Sequence, residues 1–242
     1  MELIFQQPKF EEEVRTRLDI WDRPLTEEDA LRVYILELNN FKFLKSDLDT
    51  LYYFTNLEEL AIKTGKLNAN FWQHFPKLRD IYWSCWAGCV DFEGFRTMSE
   101  LWSLVVTGGD WSCAEFVNLD ALVNLDQLKI LVLHEFGAVD ATPVGKMSQL
   151  EGLAIEYANT VKNIDTIGNL TQLEELSLTG LVVDNLYFLD SLSSDMRLDL
   201  CGIHVRKGVD ISKWERFTSR DICEISVKDK PLEYINLSLL GE

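Results

Sequence analysis

A short apolar pattern, L-x-x-L-x-L, recurs along most of this chain and constrains its fold more than any other feature. The clear copies begin at Leu57, Leu78, Leu101, Leu128, Leu150 and Leu173. Weaker copies flank them, beginning at Val33 before this series and lying around Leu198 and Ile222 after it. Successive copies start roughly 21 to 27 residues apart, a period typical of stacked repeat units. We therefore expect a solenoid in which each unit buries its apolar face against its neighbours.

Each unit contains the signals for one strand and one return segment. The alternation of apolar residues at positions four and six, such as Leu60 and Ile62, predicts a short strand with one buried face. Upstream of most strands an apolar residue recurs every third position, as in Leu119, Leu122 and Leu125. That spacing keeps side chains in line only at about three residues per turn, as in a 3₁₀ helix. The predicted fold class is an α/β solenoid: a parallel concave sheet with 3₁₀ or irregular returns.

The N-terminal segment, residues 1–32, is predicted to form a helical cap. Phe10, Val14 and Leu18 recur every four residues and form one apolar face of a helix. Thr26 with Asp29 three residues later has the form of a capping box, which predicts the start of a second short helix.

The C-terminal segment, residues 206–242, follows the point where the repeat fails. Ser212 and Glu215 form a capping box that predicts a short helix, with Trp214 and Phe217 turned inward. Two strand-like runs follow, 222–227 and 232–237, joined by KDKP. This connection is too short for a parallel crossover, so we expect an antiparallel hairpin that closes the end of the sheet.

These motifs together resemble those of bacterial internalin-type leucine-rich repeat proteins. The resemblance covers roughly residues 30–205 and extends to the N-terminal helical cap. It implies a horseshoe of repeats over residues 33–205, continuous with both caps. The chain departs from the family at the ninth position of the unit, which is usually Asn. The residues found there are Phe41, Gly65, Trp86, Gly109, Phe136, Ala158, Leu181 and Ile203. The wide spacing between Leu101 and Leu128 indicates an insertion around Gly108, Gly109 and Trp111.

The sequence contains no pattern that points to catalysis, a cofactor or a metal. His74, His134 and His204 are too far apart for a metal-binding spacing, and Cys85 and Cys89 have no second ligand pair nearby. A phosphate-binding loop is also absent, because Gly108 and Gly109 lack the Lys and Ser or Thr of a P-loop. We therefore predict a protein that is not an enzyme, with no cofactor and no metal.

The charge balance narrows the class of partner. Lys and Arg number 23 against 40 Asp and Glu, which gives a net charge of −17. Such a chain disfavours nucleic acid and anionic membranes and favours a partner with a basic surface. No run of apolar residues is long enough to span a membrane.

The concave face is predicted to present positions two, three, five, seven and eight of each unit, because positions one, four and six are buried. Tyr82, Trp102, Ile130 and Val132 are expected to form one apolar patch on consecutive strands. Carboxylates flank this patch, and Trp and Tyr are typical of interface hot spots. The predicted partner-binding residues are Glu59, Asp80, Tyr82, Trp102, Ile130, Val132, His134, Glu135, Glu156, Tyr157 and Glu175.

Two functional hypotheses follow. The first is a cytoplasmic, non-catalytic protein-binding module, and specifically a bacterial inhibitor or immunity-type protein that masks a basic toxin or nuclease. It is based on the acidic charge, on an N-terminus without a basic n-region, and on five scattered cysteines, which fit reduced thiols. The alternative is a secreted or surface adhesin resembling internalins, with its leader and anchor outside this sequence.

Overall fold

The L-x-x-L-x-L units form parallel strands that lie side by side. The computed structural model describes residues 1–86, 88–108, 115–206 and 225–228. In the main sheet, eight strands follow one another in the order of the chain, and every pair is parallel. They are β1 (Ile35–Leu38), β2 (Glu59–Thr64), β3 (Asp80–Cys85), β5 (Ser103–Gly108), β7 (Ile130–Asp140), β8 (Gly152–Lys162), β9 (Glu175–Thr179) and β11 (Arg197–Asp199).

Shorter strands follow the turns, and we call them the second layer, although β4 and β6 belong to the same ten-stranded sheet as the eight main strands. Two of them, β4 (Cys89–Asp91) and β6 (Glu115–Val117), pair with each other, and β6 also pairs with β7 through Glu115 and Ala138. A separate parallel sheet contains β10 (Val182–Val183), β12 (Ile203–Arg206) and β13 (Ile225–Lys228).

The segments that return from one strand to the next are short 3₁₀ turns, as the three-residue apolar spacing predicts. They span Lys45–Asp47, Trp72–His74, Phe92–Phe95, Leu119–Leu122, Val144–Lys146, Ile164–Asn169 and Tyr187–Ser191. The first of them continues into a single helical turn, α3 (Leu48–Leu51). Positions one, four and six of the units are buried, as in Leu57, Leu60 and Ile62, so the predicted leucine-rich repeat horseshoe with a parallel concave sheet is confirmed.

The N-terminal segment covers the open edge of β1. Its first helix, α1 (Pro8–Leu18), buries Phe10 and Val14, while the second, α2 (Glu27–Ala30), starts at the predicted capping box. The Glu13 carboxylate accepts a hydrogen bond from the backbone N–H of Glu37 in β1, at 3.3 Å. This contact satisfies an N–H group on a strand edge that would otherwise be open to pairing with another chain.

Three expectations differ from the structure. Strands β7 and β8 are 11 residues long, so they continue well beyond the short strand of the repeat. Thr64 and Cys85 occupy the eighth position but are buried, because β2 and β3 end there and the chain turns inward. Position two also varies, since Met196 is buried there.

The C-terminal predictions are tested only by β13. The predicted helix at Ser212 and the run at 232–237 lie outside the described residues, as do Gly109–Ala114 in the predicted insertion. Strand β13 is parallel to β12 in the small sheet and does not extend the main one. Ile225 pairs with Ile203, about one repeat length earlier, and that distance is long enough for a parallel crossover.

Candidate functional site

The concave face carries two rows of side chains whose order is fixed by the strand register. Position three aligns Glu59, Asp80, Ser103 and Ile130 on β2, β3, β5 and β7. Position five aligns Ala61, Tyr82, Val105 and Val132 on the same strands. Since neighbouring strands lie about 4.8 Å apart, each row forms a continuous line across the sheet. On these four strands an apolar line therefore runs beside one that contains two carboxylates. On β1 the apolar line continues to Glu37 and the other line to Ile35.

A shallow concavity of about 170 Å³ opens at the N-terminal end of these rows, over β1, β2, β3 and β5. Asp80, Tyr82 and Val105 are among its lining residues. Asp80 is half-buried, and burial raises the pKa of its carboxyl, an effect that the nearby Arg79 guanidinium partly offsets. No hydrogen bond or ion pair engages the Asp80 side chain within the described part of the chain, so a cationic group from outside would find an unpaired acceptor there.

Tyr82 and Trp102 are two exposed aromatic residues of this face, with 38% and 39% of their surfaces accessible, and Tyr34 occupies position two just before β1. Tyr82 lies in the apolar line with Val105 and Val132. Trp102 occupies position two, just before β5, where its backbone N–H donates to the Arg79 carbonyl at 2.8 Å. The predicted patch is therefore arranged as a line through Tyr82 and Val132. Ile130 lies beside this line, and Trp102 lies just before the N-terminal end of β5.

A second group of predicted residues meets where β7 and β8 bend. His134 Nε2 lies 3.8 Å from Glu156 Oε2, and His134 Nδ1 lies 4.0 Å from Glu135 Oε2. The Tyr157 ring meets the His134 imidazole edge to face, with ring centroids 5.3 Å apart. Glu156 is held from its other side by Ser177, whose Oγ donates to Oε1 at 2.7 Å. We call His134, Glu135, Glu156 and Tyr157 the corner cluster.

The backbone of the corner cluster adopts a conformation that favours glycine. Glu135 and Tyr157 have φ values of 54° and 53°, and the equivalent positions in the following units are Gly180 and Gly202, at 62° and 63°. The Tyr157 ring packs so closely over Gly180 that a Cβ there would lie 2.7 Å from Cδ1. Burial, followed by the Glu156 charge, raises the pKa of the Tyr157 hydroxyl. In the corner cluster, Glu135 and Tyr157 therefore hold their backbone in the left-handed region, which costs free energy for residues other than glycine.

Glu175, at the far end of the face, is engaged within the chain. Its carboxylate forms an ion pair with Arg197 on the neighbouring strand. Of the predicted acidic residues, Glu59 and Asp80 are thus better placed for a partner, whereas Glu156 already accepts a hydrogen bond from Ser177 and lies close to His134. Val105 was missed as a binding residue, although its fifth position in the unit marks it as exposed on this face.

The described residues offer little for other chemistries. Within them, no group of three or more His, Cys, Asp or Glu side chains is arranged to hold a metal ion. Cys85 is buried in β3, and Cys89 begins β4. In the same part of the chain no helix has the length and apolar character needed to cross a bilayer.

Comparison with solved structures supports the fold. Internalin C2 from Listeria monocytogenes aligns over 93% of this chain and 95% of its own, with 15% identity and a TM-score of 0.64. Internalin F of the same organism aligns over 93% and 92%, with 14% identity and a TM-score of 0.40. The ectodomain of the plant receptor kinase GASSHO1/SCHENGEN3 from Arabidopsis thaliana aligns over 75% and 26%, with 18% identity and a TM-score of 0.46. The likeness to internalin C2 shows the leucine-rich repeat fold.

Comparison by sequence gives no relative. No protein-family model matches the chain, and no curated protein matches it.

Proposed function

We propose that this chain is a non-catalytic protein-binding module that holds a basic partner on its concave face. The observation that carries the proposal is the pair of aligned rows: an apolar line through Tyr82, Val105 and Val132 beside a line that contains Glu59 and Asp80. Partly exposed apolar and aromatic side chains supply contact area, and unpaired carboxylates supply sites for cations. An open, concave sheet presents these groups to the surface of a folded protein and does not enclose a small molecule.

The negative net charge of the chain favours a partner with a positively charged surface. With a net charge of −17, the chain attracts a basic protein over long distances. The unpaired Asp80 carboxylate, which burial already disfavours in its charged form, gains most from a cationic side chain that enters the concavity. The corner cluster provides further carboxylates at the other end, so that a bound surface meets acidic groups on both sides of the apolar line.

The specific form of the proposal is a bacterial inhibitor or immunity-type protein that acts in the cytoplasm by covering a basic toxin or nuclease. The acidic charge together with the apolar line supports this form, because a masked basic protein needs charge compensation and a stable contact area. An interface of standard size buries about 800 Å² on each partner, which several neighbouring strands of this sheet are wide enough to supply.

The test is affinity capture from a lysate of the native organism, using the wild-type chain and a variant with Tyr82→Ala and Trp102→Ala. The matched control replaces Tyr53, which follows α3 on a return segment, and Trp21 in the N-terminal segment; they are the same residue types, 38% and 59% exposed, outside the concave face. We expect a basic protein to be retained by wild type and control but lost with the concave variant. Equal retention by all three proteins would move the binding surface away from the concave face.

Two further measurements test the specific form. The affinity for the captured protein should fall steeply as salt increases, because exposed charge pairs are screened. Fractionation of the native cells should recover the chain with the cytoplasm, whereas recovery from the medium or the cell surface would overturn the proposed location.

A further inference from the structure

Several lysine and aromatic residues lie near the C-terminal ends of β1, β2 and β3. The Lys9 ammonium lies 5.8 Å from the centroid of the Phe41 ring, and the next residue, Lys42, places its ammonium 4.2 Å from the centroid of the Trp86 ring. The Trp86 ring in turn rests on Gly65, where a Cβ would lie 3.2 Å from its Cζ2. Lys63 and Lys66 lie on either side of Gly65 in the chain. We call Lys9, Phe41, Lys42, Lys63, Lys66 and Trp86 the lysine rim.

The cations of the lysine rim form no close ion pair within the described part of the chain. Within the described residues, Lys9, Lys42, Lys63 and Lys66 form no ion pair with a carboxylate, although most of the arginines do. All four lysines are exposed. The chain has a net charge of −17, so the surface charge at this cluster of lysines is opposite in sign to that of the chain as a whole.

The carboxylates closest to the rim are occupied by internal hydrogen bonds. Asp47 is buried and accepts from the backbone N–H groups of Gln6 and Gln7. Asp91 accepts from the Asn118 amide at 2.8 Å and from the backbone N–H of Glu93 at 3.0 Å. The Lys66 charge also contributes to lowering the pKa of the Asp91 carboxyl, but the two side chains form no ion pair, and the hydrogen bonds of both carboxylates are used within the chain.

Trp86 adds an apolar contact to this charged surface. It occupies the ninth position of its unit, and 41% of its surface is exposed. The equivalent residues Phe136, Leu181 and Ile203 in later units are buried. The ring is held in place by Gly65 on one neighbouring turn and by the Lys42 ammonium. An exposed tryptophan with a restricted position is typical of an interface anchor.

We propose that the lysine rim, which borders the concave face at Lys63, is a second interaction surface and that it binds an acidic polypeptide segment. Carboxylates of the segment pair with Lys42, Lys63 and Lys66, and an apolar or aromatic side chain packs on Trp86. A short peptide fits better than nucleic acid, because a long polyanion would also meet the acidic surface around the rim. The rim also uses lysine, where nucleic acid recognition favours arginine.

The experiment uses the full chain and a fluorescein-labelled peptide of four Glu-Glu-Tyr repeats, with binding followed by fluorescence anisotropy at low salt. The test variant carries Lys42→Glu and Lys66→Glu. The matched control carries Lys146→Glu and Lys162→Glu, which change the net charge equally at exposed lysines elsewhere. We expect the test variant to lose about tenfold in affinity and the control about twofold or less, because contact pairs outweigh the distant field.

A second variant, Trp86→Ala, isolates the apolar contribution. It should weaken peptide binding by about threefold to fivefold, the effect of losing one exposed aromatic contact. Thermal unfolding of each variant checks that the fold is retained. The proposal is overturned if the wild-type chain does not bind the peptide, if both charge variants lose affinity equally, or if a single-stranded oligonucleotide binds the rim more tightly. A Lys-Lys-Tyr peptide tests the concave face separately, so failure of one surface is distinguishable from failure of the other.

Discussion

The first and second halves of the horseshoe support the same repeat in different ways. In the first half, aromatic rings fill the space between the strands and the returns: the Trp72 ring lies 4.8 Å from Phe95 and 5.5 Å from Trp83, measured between centroids. In the second half, aliphatic residues such as Leu133 and Ile155 fill the equivalent positions. The spacing of the repeat therefore fixes the strands, whereas the volume behind them is filled by either kind of side chain.

The two halves also end their strands differently. In the first half β2 and β3 stop after six residues, at Thr64 and Cys85. In the second half the left-handed residues Glu135 and Tyr157 bend β7 and β8, which then continue into the second layer. The proposed surfaces follow this division, since the lysine rim lies at the turns of the first half and the corner cluster at the bends of the second.

The largest expected loss of stability comes from truncating a buried side chain at the same position of the repeat in each half. Trp83 and Ile155 both occupy position six of their units and are fully buried. Trp83→Ala should lower the free energy of unfolding by about 3–5 kcal/mol and Ile155→Ala by about 2–4 kcal/mol, measured by urea denaturation. The double variant should show additive losses, because the sites share no neighbours. A clear departure from additivity would mean that the halves are not independently packed.

A somewhat smaller effect is expected at the charged network that anchors the N-terminal end. Asp29 is only 3% exposed, and hydrogen bonds from Arg23 and Thr26 lower the pKa of its carboxyl far below the usual value. Asp29→Asn should cost about 1–3 kcal/mol at neutral pH. Because the folded-state pKa is depressed, this stabilisation is complete above the unfolded pKa of about 4 and is lost as the pH falls below it.

Urea titrations at neutral and acidic pH measure this dependence. Asp126→Asn, at an exposed position, is the matched control and should leave stability nearly unchanged at both pH values. A cost for Asp29→Asn that stayed constant down to low pH would contradict the assignment of the effect to its ionised carboxylate.

Glycine substitutions test the difference between the two kinds of turn. Gly180 has a φ of 62° and lies against the Tyr157 ring, so Gly180→Ala should destabilise the chain by about 2 kcal/mol. Gly65 in the first half has no positive φ, and a Cβ there would lie 3.2 Å from Trp86 Cζ2, so the Trp86 ring needs to move by only a few tenths of an ångström. Gly65→Ala should therefore cost about 1 kcal/mol or less, as measured by thermal unfolding. Equal costs would show that the bend imposes no conformational requirement.

The smallest change in the free energy of unfolding is expected for Asp80→Asn, which should stabilise the chain, whereas the other substitutions destabilise it. Burial raises the pKa of this carboxyl, so its ionisation reduces stability as the pH rises above the unfolded value of about 4. Asp80→Asn should raise the free energy of unfolding by about 1 kcal/mol or less at neutral pH and leave it unchanged in acid. The same variant should weaken capture of a basic partner. A loss of stability at neutral pH would show that Asp80 has a structural role instead.

The sequence predicts the strands, the 3₁₀ returns and the face on which most residues lie, because burial at fixed spacing allows few other solutions. It does not predict where strands continue past the bend. The glycines at positions 180 and 202 mark the bend in two units, but Glu135 and Tyr157 carry no such signal. Nor does spacing reveal which carboxylates are already engaged: Glu175 is paired with Arg197, whereas Asp80 is not, and this depends on side chains one repeat away.

The parallel pairing of each strand with the next repeat has a consequence for the order of folding. Register partners along the main sheet are separated by roughly 21 to 27 residues, so adding any repeat closes a loop of similar length and similar entropic cost. Such a chain grows and frays one unit at a time from a folded segment. A partner that spans several strands ties together units that otherwise detach singly, and so lengthens the lifetime of the folded state against proteolysis.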